Sequence, residues 1–238
     1  MVPLQNILFL DIETVSQYAS FDGLPEEWKE LWTKKAEGLL RNKENQTAET
    51  VYERAGIYAE FGKVICISCG ILQINGSSHK KLLLKSFSGD DEKDILSSFC
   101  DMLSKWSAEG NKYLCAHNGK EFDFPYLCRR MVINDICVPT VLSISGKKPW
   151  EVNHLDTMDL WKFGDYKSYT SLNLLACALG IQNPKDDIDG SMVGNIYWNG
   201  HDIPRIVHYC QKDVVTVAQI YLRLNREPMI LPENIEIK

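Results

Sequence analysis

The chain has 238 residues, of which 45% are hydrophobic and 24% charged, and a formal net charge of −6. Its length and apolar content suit one globular domain with a full core, and it has no run of 18 apolar residues that could span a membrane as a helix. The acidic balance argues against broad electrostatic wrapping of nucleic acid but not against a nuclease, because metal-binding acids count as charge in the sequence and are neutralised by their cations.

The opening segment MVPLQNILFLDIET has no basic start and no small-residue cleavage site, which predicts a cytoplasmic protein with no membrane association. The eight cysteines lie scattered in apolar segments without a disulfide-like framework, so reduced, mostly buried thiols are expected. Within ILFLDIET, residues 7–14, a buried strand ends in Asp11 and Glu13. Alternation of side chains puts both acids on one face, with Ile12 on the other. At about 7 Å apart and an effective dielectric near 20 they repel by roughly 2 kcal/mol. A bound Mg²⁺ or Mn²⁺ would offset that cost, although an isolated Asp-x-Glu also reads as two acids at a solvated strand end.

The polar stretch from Glu26 to Tyr58 is expected to be a mainly helical insert, at about 24–60, with Trp28, Leu31, Trp32, Leu39 and Leu40 at near-helical spacing. KVICISCGILQ and KKLLLKSFSG read as a hairpin with a turn signal at Asn75-Gly76. In the first of these strands, Cys66 and Cys69 are three apart and therefore face opposite sides, which argues against a zinc or redox pair. DDEKDILSSFCDMLSKWSAEG is an amphipathic helix carrying Ile95, Phe99, Met102, Leu103 and Trp106, with Gly110 past its end. KYLCAHNG is a short strand broken at Asn118-Gly119, and FDFPYLCRRMVIND a helix predicted to begin near Pro125. NHLDTMDLWKF starts as a strand, SLNLLACALG is a short helix stopped by Gly180, and PRIVHYCQKDVVTVAQIYLRLN is a long last helix. Strands alternating with helices after an initial hairpin predict an α/β fold around a mixed sheet.

Two further acids stand out. Asp123 follows a strand-to-helix loop, where an N-cap is the ordinary reading. Asp213 lies in the apolar run DVVTVAQIYL, one helical turn after Tyr209 and on the same face. Asp-x-Glu closing a first strand, Asp in HNGKEFDFPYL and Tyr-x-x-x-Asp on a late helix, in that order, resemble the DEDD superfamily of 3′-5′ exonucleases. FLDIET, AEFGKVICISCG, AHNGKEFDFPYL, HLDTMDLW, LNLLACALGI, DIDGSMV and YCQKDVVTV are similar to stand-alone bacterial exonucleases related to the proofreading domain of family B DNA polymerases. The likeness covers nearly the whole chain.

The resemblance implies a ribonuclease H-like fold with a central five-stranded mixed sheet. It implies that Asp11, Glu13, Asp123 and Asp213 bind two divalent cations, Mg²⁺ or Mn²⁺, in a two-metal hydrolysis of phosphodiesters from a 3′ end. It also implies that Tyr209 orients the attacking water, since a phenol of ordinary pKa near 10 is a poor base at neutral pH. The superfamily divides by whether a Tyr four residues before the last Asp, or a His five before it, does this, and HYCQKD offers both His208 and Tyr209. Tyr209 is preferred, because on a continuous helix His208 is rotated about 140° from Asp213. Asn118 and Phe122, with Ile12 and Thr14 of the first motif, are the expected contacts to the terminal nucleotide. Asp156 reads as a turn former, and Lys147, Lys148, Lys162 and Lys167 as candidate phosphate contacts. The expected substrate is a single-stranded 3′ end, DNA ahead of RNA. A non-catalytic binding module of the same fold, or an RNA-trimming enzyme using His208, are the alternatives.

Overall fold

The computed structural model describes residues 2–41, 45–75, 79–165, 167–181 and 188–238. In chain order it contains β1 (Ile7–Ser16), α1 (Glu26–Leu40), a 3₁₀ turn (Tyr52–Ile57), β2 (Gly62–Asn75), β3 (His79–Ser88), α2 (Glu92–Trp106), β4 (Tyr113–Ala116) and α3 (Asp123–Ile133). There follow β5 (Leu155–Asp156), α4 (Thr157–Lys162), α5 (Leu172–Ala178), α6 (Val193–Asn195), a π-helical turn (Ile196–Gly200), α7 (Ile203–Leu224) and β6 (Ile235–Ile237). No described helix is long and apolar enough to cross a membrane.

The strands form one mixed sheet in the order β5-β4-β1-β2-β3-β6. β1, β2 and β3 pair antiparallel, whereas β4 joins β1, β5 joins β4, and β6 joins β3 in parallel. This is a ribonuclease H-like α/β arrangement with six strands where five were expected. The sixth, Ile235–Ile237, is too short to show an alternating pattern and is a strand because β3 offers it an open edge. Gly76, the second residue of the predicted hairpin turn, lies outside the described residues, as does Asp187 of DIDGSMV.

Alternation along β1 divides the core. Leu8, Leu10 and Ile12 face one layer with Phe99, Leu103, Phe124 and Leu127 of α2 and α3. Ile7 and Phe9 face the other, with Val214, Val217 and Tyr221 of α7. Cys69 packs in the first layer and Cys66 in the second, as opposite-facing positions require. α7 approaches the sheet over Gly70, where an added Cβ would stand 2.9 Å from Leu84 Cδ2 and 3.2 Å from Val214 Cγ1. That approach brings Asp213, the neighbour of Val214, down towards the end of β1.

Helix α3 begins at Asp123, two residues before the predicted start. The Phe124 N–H bonds to the Gly119 carbonyl and the Tyr126 N–H to the Phe122 carbonyl, so the first turn closes ahead of Pro125. Proline fits there because a first-turn N–H has no intrahelical partner to lose. In α1, Trp32 and Ala36 are buried and Trp32 Nε1 donates to the Ala48 carbonyl, whereas Leu31, expected on the apolar face, is exposed. Behind α1 the chain turns through Tyr52–Ile57 and lies against β1, so closely that a Cβ on Gly56 would meet Val15 backbone carbon at 2.9 Å.

Candidate active site

Asp11 and Glu13 leave the α7 face of β1 just before a register shift between Glu13 and Thr14. Asp11 stands opposite Ser68 and Glu13 opposite Cys66 on β2. Glu13 is buried, and no N–H or O–H of a described residue is found on its carboxylate. Side-chain donor atoms of Asp11, Glu13 and Cys210 all lie within 4.8 Å of one another. The two acids are thus nearer than a flat strand would hold them, and fully charged they would repel by about 3 kcal/mol.

Asp123, from the first turn of α3, and Asp213, from α7, complete the group. Burial raises the pKa of Asp11 well above the usual carboxylate value, and the charges of Glu13, Asp213 and Asp123 raise it further. Burial likewise raises Glu13, with Asp213, Cys66 and Asp123 adding to it. Asp123 is pushed up to about 7, again chiefly by burial, against the pull of N–H donors from its own backbone and from Ile12. The charges acting most strongly on Asp11 and Glu13 are all negative. Buried oxygen donors such as these suit a hard divalent ion.

Tyr209 lies one turn before Asp213 on α7, and burial together with the charges of Asp213, Glu13 and Asp11 drives its pKa up. It is a hydrogen-bond donor at any ordinary pH. His208 is exposed and lines a different cavity, of about 430 Å³, with Gln211, Val215, Met229 and Ile235. The rotation of about 140° from Asp213 anticipated for His208 from helix geometry is what turns it away from the acids.

A cleft of about 690 Å³ opens beside Glu13. Ile12, Thr14 and Phe122 line it, together with Arg54 and Ile57 of the 3₁₀ turn and Ser191, Asn195, Trp198 and Asn199 from the segment before α7. The Trp198 indole N–H is buried and has no acceptor among the described residues. Asn118 is not among the lining residues. Its backbone is left-handed, φ 65°, and its N–H bonds to Asp156 Oδ1 at 3.0 Å. Asp156 also accepts from the N–H groups of Lys120, Met158 and Asp159, so four backbone donors hold it as a structural brace of the loop before Asp123.

The four candidate lysines lie elsewhere. Lys162 pairs with Asp159 at 3.6 Å, Lys148 covers the Trp150 ring, Lys147 lines a separate cavity beside Lys120 and Arg129, and Lys167 is exposed. Arg54, Trp198, Asn195 and Cys210 were not marked by the sequence. A cysteine on an apolar helix face reads as core, and the other three lie in polar or mixed segments whose return to β1 no local pattern announces.

A ribonuclease H-like sheet with acids from its central strand and two flanking helices gathered at one end defines the class of protein: a nuclease-type fold with a carboxylate centre. The chain belongs to the family of predicted 3′-5′ exonucleases related to the exonuclease domain of PolB, whose pattern matches residues 57–231. That stretch includes Asp123, Tyr209 and Asp213 and leaves Asp11 and Glu13 outside it. Among solved structures, the fold is similar to the family B DNA polymerase from the hyperthermophilic archaeon Pyrobaculum calidifontis, with a TM-score of 0.52 and 14% identity. The alignment covers 91% of this chain and 24% of the polymerase chain, so this chain spans about a quarter of that protein's length. A comparison with curated proteins gave no match.

Proposed function

We propose that the protein is a divalent-metal-dependent 3′-5′ exonuclease that removes nucleotides from single-stranded ends, DNA ahead of RNA. The observation that carries this reading is the convergence of Asp11, Glu13, Asp123 and Asp213, from β1, α3 and α7, beside a cleft wide enough for a terminal nucleotide. Two cations of the magnesium class, held by those four carboxylates, would supply water activation and charge stabilisation for displacement at phosphorus.

The protein's own groups do the rest. Tyr209, one turn before Asp213, orients the attacking water through its hydroxyl. Phe122 and Trp198 present faces on which an unpaired base stacks. The unpartnered Trp198 N–H, Thr14 and Asn195 offer hydrogen bonds, and Arg54 at the rim takes a phosphate. A paired end would have to unstack to enter.

The test is incubation of the purified protein with 5′-labelled single-stranded DNA and RNA, with and without Mn²⁺. A metal-dependent ladder shortened from the 3′ end is expected, faster on DNA. Asp11→Asn and Asp213→Asn, with native circular dichroism, should abolish it. A ladder that persists in both variants would remove the proposed centre.

A further inference from the structure

Among the carboxylates sits a sulfur. Cys210 Sγ is 3.3 Å from Asp11 Oδ2 and 3.4 Å from the Asp11 carbonyl oxygen, and its side chain is fully buried. Cys66, opposite Glu13 on β2, lies in the same buried cluster as Cys210. Glu13, a residue 93% buried whose carboxylate has no donor among the described residues, faces the same point. One oxygen of Asp11, one of Glu13 and the sulfur of Cys210 fall within 4.8 Å of one another.

We propose that Asp11, Glu13 and Cys210 form a binding site for a thiophilic divalent cation, zinc being the best match, and that this site excludes the hard cations from the carboxylate centre. Magnesium avoids sulfur, whereas zinc accepts thiolate and carboxylate together in tetrahedral sites with three protein ligands and one open position. With Zn–S near 2.3 Å and Zn–O near 2.1 Å, tetrahedral donors stand about 3.4–3.6 Å apart. The Cys210–Asp11 pair already meets that spacing, and Glu13 has only about 1 Å to close. On binding, the Cys210 thiol loses one proton to solvent and the metal–sulfur bond takes its place. Because Asp11 and Glu13 are shared, zinc and magnesium compete. The consequence for hydrolysis rests on the exonuclease reading, but the site itself does not.

Cobalt(II) reports the site directly, since a thiolate-to-cobalt charge-transfer band in the near ultraviolet requires a sulfur ligand. The experiment uses the Cys137→Ser/Cys177→Ser protein, which removes the two exposed thiols. Titration with Co²⁺ should raise the band with one equivalent of metal. Cys210→Ser in that background should abolish it, and an excess of Mn²⁺ should raise the apparent Co²⁺ dissociation constant at least tenfold. Absence of the band, its persistence in a folded Cys210→Ser variant, or indifference to Mn²⁺ overturns the proposal. Should Cys210→Ser not fold, zinc-edge X-ray absorption on the parent decides: one sulfur scatterer near 2.3 Å is expected, and an all-oxygen shell overturns it. None of these readouts needs nuclease activity, so a protein that cuts nothing would still show the band.

Discussion

The Tyr126 hydroxyl donates to the Gly56 carbonyl at 2.7 Å. One buried side chain of α3 thus joins the helix that begins with Asp123 to the turn that walls the cleft. Tyr126→Phe strands the Gly56 carbonyl and should lower stability by about 1–3 kcal/mol, read as a lower urea midpoint at constant m-value. The Michaelis constant for oligonucleotide should rise while Mn²⁺ affinity stays. An unchanged midpoint would mean that the helix and the turn are not linked in solution.

Beneath the same region, Glu92 of α2 and Arg130 of α3 form a buried pair. Glu92 Oε1 accepts from Arg130 Nε at 2.8 Å and from the Val64 N–H at 2.7 Å, Oε2 accepts from Arg130 Nη2 and Asn134 Nδ2, and Arg130 Nη1 donates to the Ala59 carbonyl. Glu92→Ala leaves a buried guanidinium uncompensated and should cost about 3–5 kcal/mol. Glu92→Met/Arg130→Met should cost much less than the two single changes together. Urea unfolding of the full double-mutant cycle measures the difference, and additive losses would show the pair to be unimportant.

Much of the centre is legible in the chain because it rests on local periodicity. Two-residue alternation puts Asp11 and Glu13 on one face, and four-residue spacing puts Tyr209 above Asp213 and turns His208 away. What escapes is whatever depends on distant segments meeting. Glu92 and Arg130 are 38 residues apart and each reads as a surface charge on its own helix. Arg54 reaches the cleft only because Gly56 lets its turn lie on β1. The left-handed backbone of Asn118, before Gly119, is likewise set by a distant partner, since its N–H is bonded to Asp156.

The raised carboxyls make metal-free stability depend on pH with a definite sign. Asp11, Glu13 and Asp123 hold protons more tightly folded than unfolded, so each destabilises the fold above its folded pKa. That penalty is relieved as pH falls from about 7, the Asp123 value, towards the unfolded range near 4. Asp11→Asn should therefore raise the metal-free Tm at pH 8 by about 4–8 °C, corresponding to roughly 2 kcal/mol. The gain should shrink on acidification to pH 5. Mn²⁺ should stabilise the wild type and leave the variant nearly unmoved, which differential scanning fluorimetry can follow. A gain that is independent of pH would dissociate it from these carboxyls.

Arg54 is the basic side chain of the cleft rim, and it is exposed. A phosphate contact there is electrostatic and screened, so Arg54→Gln should weaken single-strand binding about equally for all sequences. The slope of log K against log salt should become shallower by about 0.7, the value of one phosphate contact on a single strand. Fluorescence anisotropy in the Asp11→Asn background, which is expected not to cut, measures it. An unchanged slope would move the backbone path elsewhere.

Tyr209 and His208 make opposite predictions about rate and pH. Tyr209 lies one turn before Asp213 and its pKa is pushed up, so it acts by donating and not by taking a proton. Tyr209→Phe should reduce kcat by roughly 10²-fold, the usual loss for one oriented hydrogen bond at a reacting centre. It should change neither Mn²⁺ affinity nor the shape of the pH–rate profile. His208 is on the cavity side of α7, away from the carboxylates, so His208→Ala should leave kcat within about twofold. If His208 were the base, the wild-type profile would lose activity on an acid limb, and His208→Ala would remove that limb with most of the rate. The two profiles, measured with saturating Mn²⁺, separate the helix face that faces the acids from the one that does not.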